Sequence, residues 1–221
     1  MSEKYKETDR MGDIICDDYR ILQVISRFGL TLGFGDHTVS ETCLAAGVDA
    51  PTFLAVVNFI RSNGRTSNLS DIVESLSLTA LMNYLRRSHD YFVKFRLPAI
   101  RRKLIEAIDC SARNQIAFLI LKFYDEFASE VGRHMDYEDK HIHTYVSDLM
   151  KGVKTSPDVN IHKLSHQHHD NHAQLEKSLS ELKSIIIKYY PTDSNAQLLN
   201  DVLIDCLLYT SDAADEARSV D

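Results

Sequence analysis

The strongest constraint on this chain is a seam. Phe127, Val131, His134, Glu138, Ile142, Tyr145 and Leu149 recur at steps of three and four. That spacing marks the core-facing stripe of a long amphipathic helix. His134 and Glu138 are one turn apart, so both side chains project from the same face. An imidazole and a carboxylate where a bundle helix would carry leucines are unfavourable unless something binds them. On a solvated face such a pair is only a weak ion pair. On the seam, a metal ion is the simplest partner. Helix bundles build carboxylate-bridged di-metal sites from inward-facing Glu and His at this spacing.

At 221 residues the chain can bury one good core and a small satellite domain. A net charge of −7 argues against a bulk electrostatic grip on nucleic acid. No apolar run is long enough to span a bilayer. The first residues, Met1 to Glu7, are polar and lack a signal-peptide core, so a cytoplasmic location is expected. Cys16, Cys43, Cys110 and Cys206 are scattered, with no Cys-x-x-Cys pair. They read as reduced, structural thiols.

The sequence predicts an all-α chain. A small N-terminal helical domain is expected over residues 1–66 and a bundle over 67–205. In the first, one helix is expected from Met11 to Phe28, ending near Gly29, with a turn at Gly33 to Asp36. Thr38 or Ser40 caps the next helix, and Asp49-Ala50-Pro51-Thr52 opens a third. Asn63 to Asn68 reads as a linker. In the larger part, one helix is expected from Thr79 to Asp109 with a kink at Pro98. A second runs from Ala112 to Lys151, and a third from Ile161 to Tyr190, stopped by Pro191. A fourth begins near Asn195. Long helices with short loops favour an up-down bundle.

His89 falls among Leu85, Phe92, Val93 and Ile100, on the expected core side. A lone histidine there is usually a hydrogen-bonded core residue. The third long helix carries His162, His166, His168, His169 and His172. Counting back from Leu175, Leu179, Leu182 and Ile186 puts His172 on the seam, with His168 and His169 as alternates. His162 and His166 read as a solvated tract. His141 and His143 fall off the seam and are expected to be non-ligands; His37 is expected to be exposed. His89, His134, Glu138 and His172 thus form the candidate metal set. Mixed imidazole and carboxylate donors suit iron, with manganese a weaker fit and zinc an adventitious occupant.

With these residues in place, the chain resembles the di-iron, hemerythrin-like RIC (repair of iron centres) family. His134-Met135-x-x-Glu138 is similar to that family's second-helix motif. His89 ahead of Leu97-Pro98, and His172-x-x-Leu175, resemble its first- and third-helix ligand segments. Gly33 to Phe59 is similar to part of its leading domain. Ala173 stands where the family has an aspartate, and Gly33 to Asp36 where it often has adjacent cysteines, so neither role is carried over. The family's fourth-helix His-x-x-x-Glu has no counterpart. The stretch from Cys206 reads instead as a translated sequencing adapter, so 206–221 is expected to be a non-native tail and the fourth helix truncated.

The resemblance implies two non-haem irons, with His89, His134 and His172 as terminal ligands and Glu138 as the bridge. It implies repair of iron–sulfur centres under nitrosative or oxidative stress, with damaged iron–sulfur proteins as partners and O2 or NO as small ligands. Two other readings stay open: an iron, oxygen or nitric-oxide sensing domain of a longer transcriptional regulator, and simple oxygen or iron binding. Whether the chain is an enzyme is left open. No membrane and no direct nucleic-acid contact are expected. Loss of part of a bundle helix would expose apolar faces, so reduced stability or a homodimer covering the gap is expected.

Overall fold

A computed structural model describes residues 4–62, 76–108, 115–153, 161–190 and 195–205; over 161–173 and at Glu176 it describes the backbone alone. The expected linker at Asn63 to Asn68 and the tail 206–221 lie outside these residues. The fold is all-α. Among the described residues the only β feature is an isolated bridge between Arg10 and Thr38. The chain forms two compact units: the first ends at His89 and the second begins at Asp90.

The first unit contains α1 (Met11–Asp17), α2 (Ile21–Phe28), α3 (Val39–Ala46), α4 (Ala50–Arg61) and most of α5 (Leu78–Tyr91). Its core joins Met11, Ile21, Val24, Phe28, Val39, Phe53, Val57 and Tyr84. The single helix expected from Met11 to Phe28 is two. Asp18 turns extended, and its carboxylate takes the backbone N–H of Arg20 at 3.0 Å and the guanidinium at 2.7 Å. This local side-chain bond competes with the helical ladder and breaks it.

The remaining boundaries follow the capping chemistry. Gly29 closes α2 at φ 79°, while Leu30 N–H reaches the Ile25 carbonyl and Gly29 N–H that of Ser26. This is the left-handed closure that glycine accepts without strain. A Cβ at Gly29 would also run into the Arg87 guanidinium. Thr38, not Ser40, caps α3: Glu41 N–H donates to the Thr38 hydroxyl, and Thr38 N–H donates back to the Glu41 carboxylate. Asp49 caps α4 through Thr52 N–H at 2.9 Å, with Pro51 in the first turn.

In the second unit, α6 (Leu97–Ala107) follows α5 through a π-helical turn, Phe92–Arg96. Then come α7 (Gln115–Tyr137), a second π-turn (Glu138–Ile142), α8 (His143–Met150), α9 (Ile161–Tyr189) and a last helix, α10, over 196–205. One core unites Phe92, Leu97, Ile100 and Leu104 with Ile120, Tyr124, Phe127 and Val131, with Leu179, Leu182 and Ile186, and with Leu199 and Val202. Four helical segments of this unit therefore share a single apolar interior. Arg96 and Lys103 each reach the Asp205 carboxylate at 2.8 Å, fastening α10 to the α6 side.

The kink expected at Pro98 takes the form of the π-turn just before it. Proline cannot donate an N–H, and its ring presses on the carbonyl one turn back. The wider turn absorbs this: Leu97 N–H bonds to Phe92, five residues earlier. The turn also resets the seam. Phe92 and Leu97 are both buried, whereas Val93, expected on the core side, is exposed.

Candidate metal centre

The seam of α7 runs as the sequence requires. Ala117, Ile120, Tyr124, Phe127, Val131 and His134 are buried at steps of three and four. The last turn of α7 delivers His134, and Glu138 opens the π-turn that follows. Nε2 of His134 lies 3.2 Å from Oε1 of Glu138, and the two side chains are only 6% and 12% exposed. Val131 and Met135, both buried, belong to the same core. The pair is thus removed from bulk water, where a charged carboxylate requires a partner.

The separation bears on metal binding. Two donors that each bind one ion at about 2.1 Å, set at a right angle, lie about 3 Å apart. The His134–Glu138 pair already has that spacing without rearrangement of its helix. Its donor set, one imidazole nitrogen and one carboxylate oxygen, is the mixture that suits iron.

Beyond Glu138 the sequence expectation fails. Ile142, Tyr145 and Leu149 were expected to continue the seam, but Leu149 is 49% exposed and the other two are only partly buried. The buried residue is His143. Its Nδ1 lies 2.8 Å from Oδ1 of Asp139, an approach that is close but poorly aligned for a hydrogen bond. His143 N–H bonds to the Glu138 carbonyl, five residues back, so the helix takes in one extra residue. The spacing rules of a regular helix therefore misplace everything after Glu138. His141, in contrast, is exposed, with its ring stacked on Tyr137 at 4.4 Å.

His89 is buried near the end of α5, at the last position of the first unit. Its neighbour Ser88 is fully buried, and the Ser88 hydroxyl finds no hydrogen-bond partner among the described residues. His172, with the alternates His168 and His169, lies on α9; these three side chains fall outside the described residues. Among the described residues, no three His, Cys, Asp or Glu side chains come together as a metal-holding group. The expected set is represented by one close pair, His134 and Glu138, and by a buried His89.

Two other features stand apart from this pair. A surface groove of about 580 Å³ is lined by Arg101, Phe118, Asp125, Glu130 and Arg133, and reaches neither His134 nor Glu138. His37 is exposed in the turn before α3, as expected. No described helix is long and apolar enough to cross a membrane. Comparison with protein-family models, with curated proteins and with solved structures returns no match for this chain.

Proposed function

We propose that this chain is a non-haem iron protein of the hemerythrin-like, di-iron kind, acting in the repair of iron–sulfur centres under nitrosative or oxidative stress. The observation that carries the reading is the largely enclosed His134–Glu138 pair, with 3.2 Å between donor atoms, at the end of the α7 seam that enters the second unit's core. An up-down four-helix bundle is the architecture that fits the four segments sharing that core.

In this reading His134 supplies a neutral imidazole nitrogen and Glu138 a carboxylate able to bridge two ions. His89 and His172 are the further terminal ligands that the resemblance implies. Bound iron would supply the capacity to bind and reduce small ligands such as O2 or NO. The protein's own contribution is different. Val131 and Met135, on neighbouring positions of α7, are buried in the core, and the helix holds both donors at one-turn spacing. Damaged iron–sulfur proteins are the partners in this reading.

The test is iron content with an optical spectrum, on the full chain and on Glu138→Ala. Loss of at least half of the bound iron in the variant is expected. Unchanged iron content would overturn the reading. Reversible oxygen binding without reactivation of a damaged cluster enzyme would assign the chain to simple carriage instead.

A further inference from the structure

We draw no further inference here: the strongest candidate, the surface groove that runs along α7 from the exposed Phe118 to Arg133 beside Arg101 of α6, sets its cations against as many carboxylates and so selects no partner by charge, and nothing in the structure shows what covers it.

Discussion

Glu138 and His143 are five residues apart, yet they follow one another along the buried face of one helix, because the backbone between them closes as a π-turn. Phe92 and Leu97 stand in the same relationship across the other π-turn. In each of these two helical runs the seam takes one five-residue step. If the turn is a one-residue insertion into an α-helix, removing one residue should repair it. Deleting Lys140, whose ion pair with Asp136 is exposed, should leave the helical circular dichroism intact and the thermal midpoint unchanged or higher. Deleting Gly132, inside the regular part of α7, shifts every later seam residue by about 100° and should abolish cooperative unfolding. Equal damage from both deletions would refute the insertion account.

The buried pair makes a prediction in the metal-free protein as well. Glu138→Ala leaves the His134 ring facing a void where a charged acceptor stood at 3.2 Å. Truncating one member of a buried hydrogen-bonding pair costs about 1–3 kcal/mol. Urea denaturation of the chelator-treated chain should show a loss in that range. A loss below about 0.5 kcal/mol would mean that the pair is less enclosed than its burial indicates.

These two relationships mark where the sequence stops being legible. Phe127, Val131 and His134 follow from three-and-four spacing alone, and the structure buries all three, with Ala117, Ile120 and Tyr124 continuing the same face toward the start of α7. The glycine closure of α2 and the start of α4 around Pro51 were likewise readable, while the cap of α3 stood open between Thr38 and Ser40 until the backbone showed which hydroxyl meets the Glu41 N–H. The π-turn after Glu138 was not. Asp139, Lys140 and His141 include no proline or glycine, and nothing local distinguishes them from an ordinary helical turn. His143 therefore appeared to lie off the seam. Pro98 did announce an irregularity, but its form, a wide turn before the proline, depends on how the backbone redistributes the lost hydrogen bond. The break at Asp18 had a signal too, an aspartate two residues before an arginine, outweighed by the apolar pattern around it.

Asp125 and Arg101 join α7 to α6 through two parallel bonds, at 2.7 and 3.0 Å. The Arg101 guanidinium holds the Asp125 carboxyl below its usual value of 3.8. A carboxyl depressed in the folded state contributes stability that is fully present above the unfolded value and is lost as pH falls through the folded one. Both side chains are nearly half-exposed, so the bridge contributes at most about 1 kcal/mol. Asp125→Asn should therefore lower stability slightly at pH 7, less in high salt, and not at all once the pH is well below 3. A deficit persisting at that pH would point to packing rather than charge.

Cys16 is exposed, whereas Cys43 is fully buried in the first unit's core. Burial pushes the Cys43 thiol up to about 11, and Asp49 and Glu7 add to the cost of a thiolate. The thiolate is the reactive form. At pH 8 in native buffer, iodoacetamide should label Cys16 within minutes and leave Cys43 untouched, and denaturant should release Cys43. Peptide mapping by mass spectrometry reads both sites at once. Native labelling of Cys43 at the rate of Cys16 would show that the first unit opens far more readily than its core packing implies.

The final prediction concerns the fastening of α10. Asp205 is 11% exposed and accepts from both Arg96 and Lys103 at 2.8 Å. The neighbouring turns of α10 bury Leu199 and Val202 in the second unit's core. Replacing the carboxylate leaves the Arg96 cation, itself only 21% exposed, without that counter-charge. Breaking a fully buried ion pair from one side costs about 3–5 kcal/mol, and partial solvent access here reduces that to about 1–3 kcal/mol. Asp205→Ala should lower stability by that amount and expose the amides of 196–205 to faster hydrogen exchange than those of α7. The paired change Arg96→Met with Asp205→Leu should recover much of the loss, since two apolar groups can replace a buried ion pair with little penalty. Failure of the double variant to recover, with exchange in 196–205 unchanged in every variant, would mean that Leu199 and Val202 hold the segment without help from Asp205.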